Sequence, residues 1–197
     1  MAALWSIERA EYGSQDAIRY ELSREPLLAE RDGRLLTELV YGSLRRQRSL
    51  DRWLDKACAR GLASVDGPAL VALRVGCYQL AELSKIPDYA AIDATTSAAA
   101  SFVGKQKGFV HGVLRQLART TPWKNAPRDD VPAWIRRRID ALADVTGYPR
   151  EEMQAAFSTS APLHLHALDD AAVDALHKAG VDVEPIAGLA RVFRAQG

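Results

Sequence analysis

Between Leu70 and Leu83 the chain reads Leu-Val-Ala-Leu-Arg-Val-Gly-Cys-Tyr-Gln-Leu-Ala-Glu-Leu, which leaves almost no polar face at helical spacing. A helix that is apolar nearly all round must be covered from every side, so this segment belongs at the centre of a helical bundle. Asp66-Gly67-Pro68 precedes it and offers a cap with proline in the first turn. Alanine is frequent and β-branched runs are few, which favours helix over strand for most of the chain.

The flanking segments carry the amphipathic pattern that such a centre needs. Ala3 to Ala10 and Ser14 to Leu22 predict two short helices, with Ser14 as a cap and Pro26 as the stop. Asp32 is the expected cap of a helix whose apolar side is Leu35, Leu36, Leu39, Val40 and Leu44. Leu50, Trp53, Leu54, Ala57 and Cys58 continue to Gly61, an expected C-cap. After Ile86-Pro87-Asp88, the stripe Ile92, Thr95, Ala98, Ala99 and Phe102 permits close helix approach, and Phe109, Val110, Val113, Leu114 and Leu117 define one more helix. Thr120 to Pro132, with Pro122, Pro127 and Pro132, reads as a linker. Two short helices follow, one with Trp134, Ile135, Ile139 and Leu142 on its apolar side that ends near Gly147, and one over Pro149 to Phe157. Beyond Pro162 the texture becomes β-α-β-β, with strands at 163–168, 181–183 and 192–193 and a helix from Asp169 to Ala179. That last pattern is too short to fold alone, and the chain is expected to end inside a second domain.

Charge is distributed unevenly. The whole chain carries +1, but residues 45–128 hold 14 basic and 6 acidic side chains, a balance of +8, while residues 1–44 stand at −3 and 129–197 at −4. Clustered Lys and Arg supply phosphate contacts, so the middle third is where a polyanion is attracted. Arg45, Arg46, Arg48, Lys105, Lys107 and Arg115 are the candidate nucleic-acid-binding residues. Arg45 has a competing role as the ion-pair partner of Glu38 or Asp51. Arg136-Arg137-Arg138 lies among acids, with Ile135 and Ile139 on the buried side, and reads as a solvated face. Trp5, Trp53 and Trp134 are expected to pack in the core, whereas Trp123, beside Lys124, is open to either packing or base stacking.

Other chemistry is not favoured. His164 and His166 share one side of a strand near Asp169 and Asp170, but no third ligand at fixed spacing supports a metal. Cys58 and Cys77 form no disulfide framework and sit on apolar helix faces, where cysteine behaves as a small hydrophobe. No apolar run approaches the roughly 20 residues that span a bilayer. Glu8 and Glu11 interrupt any secretory pattern, and a cytoplasmic location with no membrane partner is expected.

Four runs then stand in a recognisable order: Arg31-Asp32-Gly33-Arg34-Leu35-Leu36-Thr37-Glu38-Leu39-Val40-Tyr41-Gly42-Ser43-Leu44-Arg45, Leu73-Arg74-Val75-Gly76-Cys77-Tyr78-Gln79-Leu80, Ile86-Pro87 before an Ala-rich helix, and Lys107-Gly108-Phe109-Val110-His111-Gly112-Val113-Leu114-Arg115. With them, residues 5–120 resemble the NusB-like helical domain at the N-terminus of the RsmB/Sun family. Those are S-adenosylmethionine-dependent enzymes that make 5-methylcytosine in 16S ribosomal RNA. Trp134 to Phe157 and Ala161-Pro162-Leu163 look like the start of that family's next region. The chain departs from the family at His111-Gly112, usually Asn-Ala, at Tyr89, usually histidine, and at His164-Leu165-His166-Ala167, usually close to Leu-Arg-Val-Asn.

The resemblance implies an all-α NusB-like bundle over 1–125, a helical connector over 126–160 and the start of an α/β region of the methyltransferase part over 161–197. It implies an RNA-binding module that positions small-subunit ribosomal RNA for a catalytic domain outside these residues. S-adenosylmethionine is then implied for that domain and no cofactor for this chain. Neither cysteine has the proline neighbour of the family nucleophile, and no Gly-rich loop for the methyl donor is present. No catalytic residue is therefore assigned. The alternative is a stand-alone NusB-like factor in transcription antitermination, or a protein-interaction scaffold, with a ribosomal-protein partner. A helical adaptor without an RNA role is a third reading.

Overall fold

A computed structural model describes residues 1–124, 130–158 and 163–195, and the side chains at 157 and 158 are outside that description. The helices are α1 (Ala2–Glu8), α2 (Ser14–Arg24), α3 (Glu30–Arg45), α4 (Gln47–Ala57), α5 (Gly67–Glu82), α6 (Asp88–Val103), α7 (Lys107–Thr120), α8 (Ala133–Thr146), α9 (Arg150–Ser158) and α10 (Asp170–Lys178). The strands are β1 (His164–His166), β2 (Val183–Pro185) and β3 (Val192–Ala195). The chain divides into two compact units, Met1–Asp130 and Val131–Gly197.

In the first unit α5 is the centre, packed on α1, α3, α4, α6 and α7. Its two sides serve two cores. Leu73 and Cys77 join Leu50, Trp53, Leu54, Leu114 and Leu117, whereas Val71 and Val75 join Leu4, Ile18 and Val40. That double burial is why the segment is apolar all round. Close approach is possible only because glycine stands at two contacts. A Cβ on Gly42 of α3 would fall 2.1 Å from Cζ of Tyr78, and one on Gly76 would fall 2.6 Å from Cδ1 of Leu114.

The polar groups of α5 are met from its neighbours, as buried polar groups must be. Arg74 is buried; its Nε and Nη2 donate to the two carboxylate oxygens of Asp51 at 2.7 and 2.8 Å, and its Nη1 donates to Glu8. The Tyr78 hydroxyl donates to the Glu38 carboxylate, and Gln79 Nε2 donates to Thr95 Oγ1 at 2.8 Å. The expected partners of Arg45 are thus taken: Glu38 serves Tyr78, and Asp51 serves Arg74.

Several local expectations are corrected. Helix α2 starts with Ser14 as its first residue and Gly13 as the cap position, and α3 starts at Glu30, so Asp32 lies in the first turn. Carboxylates there favour the helix through its dipole without capping it. Helix α4 ends at Ala57, and Gly61 at φ +71 turns the connection beyond it. Asp66 holds the cap position of α5 without a side-chain cap bond, and Gly147 at φ +70 does terminate α8. The linker expectation falls partly on residues 125–129, and Pro162 on 159–162; both stretches lie outside the described residues.

In the second unit α8 packs on α9. Trp134 is 59% exposed and Leu142 is exposed as well, because α8 buries Ile139 and Ala143 instead; the expected core role of Trp134 does not hold. The sheet has the order β1-β3-β2 with both pairings antiparallel, including Leu165 opposite Phe193 and Glu184 opposite Arg194. Asp169 caps α10 by accepting the Ala172 N–H at 2.8 Å.

Truncating Leu73 to Ala should destabilise the first unit by about 2–5 kcal/mol, the range for a fully buried leucine. Gly42→Ala, which drives a methyl group into the Tyr78 ring, should cost about 1–3 kcal/mol. Urea denaturation of both variants measures this, and a loss below about 0.5 kcal/mol at Leu73 would remove α5 from the centre.

Candidate nucleic-acid interface

The arginines of the first three helices are mostly neutralised locally. Arg9 pairs with Glu11, Arg19 with Asp16, Arg24 with Glu21 and Arg34 with Glu30, all on the surface. The middle third behaves differently. Arg45, Arg48, Arg60, Lys105, Lys107 and Arg115 are exposed and form no ion pair among the described residues. Unpaired surface cations keep their full field for an anionic partner.

Arg46 is the exception within the nominated set. It stands at the junction where α3 ends and α4 begins, and its side chain is only 14% exposed. Its Nη1 donates to Asp130 Oδ2 at 3.1 Å, and its Nε lies 3.9 Å from Glu82. The other Asp130 oxygen accepts the Ser49 N–H at 3.0 Å, so a carboxylate 81 residues away caps the first turn of α4. Arg46 therefore ties the end of α5 and Asp130 to the start of α4, and is not presented for a ligand.

The remaining residues do not gather at one point. Trp53 of α4 meets Trp123, just beyond α7, edge to face with ring centroids 5.9 Å apart. Cys58 at the other end of α4 shares a recess with Gln106 and Phe109 at the start of α7. The two helices thus run antiparallel. Arg45 and Arg48 lie at the end of the pair near Asp130, whereas Lys105 and Lys107 lie at the opposite end, about 16 Å away by the rise of an 11-residue helix. Arg115 sits two turns along α7 from Lys107, about 12 Å by the same rise. The set is thus spread over the end of α3, the start of α4, the turn before α7 and α7 itself, with Trp123 taken into packing.

Sequence reading misses two members of this surface. Arg60 is hidden in a turn after α4, and Phe109 reads as a core residue. Phe109 is 42% exposed, because α7 buries Val110, Val113, Leu114 and Leu117, and position 109 falls at the edge of that stripe. Its place beside lysines is the signal that the sequence does carry. Gly108 beside it has open space where a Cβ would be.

The two cysteines are not placed as nucleophiles. Cys77 is fully buried, and burial, followed by the charges of Asp51 and Glu82, holds its thiol well above the ordinary range. Cys58 is shifted upward by burial and then by Asp55. A thiol so shifted stays protonated and is a poor nucleophile. The strand-to-helix junction that a methyl-donor loop would need runs from β1 through Ala167, Leu168 and Asp169 without a glycine. His164 and His166 are both exposed, and no group of three His, Cys, Asp or Glu comes together among the described residues. No described helix is long and apolar enough to cross a membrane.

Residues 2–119 match the family model described as the NusB family. Ribosomal RNA small subunit methyltransferase B of Sodalis glossinidius is 36% identical over 119 residues, 57% of this chain and 27% of that protein. The protein of the same name from Shewanella oneidensis is 30% identical over 155 residues, 76% of this chain and 35% of that one. The chain thus spans about a third or less of the length of these relatives. The crystal structure of PH0851 superposes with a TM-score of 0.60 at 17% identity, covering 100% of this chain and 47% of that one, a likeness of fold.

Arg46→Gln should cost roughly 2–4 kcal/mol, because it removes the cation shared by the largely buried carboxylates of Asp130 and Glu82, while Arg48→Gln should stay within about 0.5 kcal/mol. Denaturant melts of the two variants decide this. Raising the pH to mildly alkaline values should leave Cys77 unreactive toward a disulfide reagent until the protein unfolds, since its thiol titrates above that range; thiol release followed with and without denaturant is the measurement.

Proposed function

This chain belongs to the NusB family, and we propose that its helical unit is the RNA-binding module of a ribosomal RNA cytosine-5 methyltransferase. The observation that carries the reading is that Arg45, Arg48, Lys105, Lys107 and Arg115 are exposed and form no ion pair among the described residues, in a unit whose other surface arginines are mostly matched by acids. Residues 1–125 are the RNA-binding domain in this reading, and the later residues begin the part that leads to the catalytic domain. The ligand is small-subunit ribosomal RNA, in keeping with the names of the Sodalis and Shewanella relatives. S-adenosylmethionine is bound by the catalytic domain of the whole enzyme.

The mechanism is positioning. Arg45, Arg48, Lys105, Lys107 and Arg115 meet phosphates, release condensed counterions and so supply affinity. Their spread from the end of α3 to α7 gives the RNA several separated phosphate contacts, and structured RNA is read by shape more than by sequence. No bond is made or broken by these residues. The work of the unit is to raise the local concentration of the substrate and fix its orientation.

Binding to a structured small-subunit ribosomal RNA fragment should therefore weaken steeply with salt. Replacing Arg45 and Arg48 by Gln should weaken binding and reduce the log–log salt slope by roughly 0.7–0.9 for each phosphate that is no longer neutralised. The same change at Arg137 and Arg138, in the acidic second unit, should do much less. Anisotropy titrations across a salt series measure both, and equal weakening in the two variants would count against a located surface.

A further inference from the structure

At the lysine-bearing end of the α4–α7 pair the surface is hollow. A recess of about 460 Å³ lies between the turn after α4 and the start of α7, lined chiefly by Cys58, Arg60, Ser64, Val65, Gln106 and Phe109. We propose that this recess receives a single unstacked base of the RNA strand, with Phe109 as the stacking platform. The proposal rests on the RNA-binding reading above and adds a specific contact to it.

The residues supply each part of such a contact. Phe109 keeps 42% of its surface exposed, beside a glycine that leaves its approach open. An exposed aromatic ring at a mostly apolar recess that carries a few polar groups suits a planar π-system. Val65 and the buried Cys58 give the recess an apolar side. Gln106 carries both a donor and an acceptor, and its amide makes no hydrogen bond among the described residues. Arg60 adds a guanidinium with no ion-pair partner among the described residues, and the carboxylate of Asp66 on the same wall can accept from an exocyclic amine. These are the groups that read the edges of a splayed-out base. Lys105 and Lys107, immediately either side of Gln106, are placed for the adjoining phosphates.

The wall opposite α7 is held in place. Gly61 at φ +71 reverses the chain, Asp55 Oδ1 accepts the Leu62 N–H at 2.7 Å, and Ser64 Oγ donates to the Gly61 carbonyl at 2.8 Å. In the lining itself Arg60 is balanced by Asp66, and the positive charge beside the recess comes from Lys105 and Lys107, which flank Gln106 in the chain. That excess of positive charge suits a nucleotide better than an apolar peptide. The recess also has the volume of a small-ligand site, above the roughly 300 Å³ at which such sites begin.

The test uses the full chain and a short single-stranded RNA carrying one 2-aminopurine among uridines, with anisotropy reporting affinity and 2-aminopurine emission reporting stacking. The wild type should bind and alter the emission. Phe109→Ala should weaken binding about five- to hundredfold with an unchanged salt slope, and should abolish the emission change at saturating protein. Phe109→Tyr should restore both. Arg60→Gln, a surface change that does not threaten the fold, should weaken binding and leave the melting temperature as it is. Lys105→Gln with Lys107→Gln should instead flatten the salt slope. If the wild type binds RNA but Phe109→Ala and Arg60→Gln bind equally well, the pocket is overturned while the RNA reading stands. If the wild type binds no RNA even at low salt, the RNA reading itself falls and takes the pocket with it.

Discussion

A guanidinium inside the central helix organises much of the first unit. Arg74 cannot be buried alone, since an unpaired charge in the interior costs several kcal/mol. The bidentate contact with Asp51 holds α4, and the contact with Glu8 holds α1, against the same turn of α5. Four residues on, the Tyr78 hydroxyl holds α3 through Glu38. Polar side chains thus fix the register of helices whose apolar contacts alone would allow sliding. The glycines at 42 and 76 complement them by letting backbones come close enough for these contacts to form.

The surface follows a different rule. Acids are intercalated with arginines on α2 and α3, and their fields cancel at short range. On α4 the acids are drawn inward or spent on the backbone: Asp51 faces Arg74, and Asp55 faces Leu62. Helix α7 carries no acid at all. Exposed cations are left behind on both. The basic character of the middle third therefore comes as much from where the carboxylates go as from how many lysines and arginines there are.

The central position of α5 is legible in the sequence because all-round apolarity has one structural meaning. The helices themselves are legible from their stripes, and their ends less so, since the Ser14 signal falls one residue, and the Asp32 and Gly61 signals three residues, from the true cap positions. Arg46 shows why site residues are harder. Its neighbours Arg45 and Arg48 look the same in the sequence, and only the arrival of Asp130 and Glu82 separates it from them. Trp134 and Phe109 escape for another reason. Both sit at the margin of an apolar stripe, where a turn of a few tens of degrees moves a side chain from core to solvent.

The long-range cap on α4 bears on the order in which the molecule assembles. A cap supplied by a neighbouring residue stabilises its helix as soon as the helix forms. Here Asp130 reaches the Ser49 N–H only after two positions 81 residues apart have been brought together, and closing so long a loop is entropically costly. The first turn of α4 consequently gains its cap late, after α5, α6 and α7 are in place. Until then the stretch from Arg46 to Ser49 is free to fray, and the seam between α3 and α4 becomes sharp only when the first unit closes on itself.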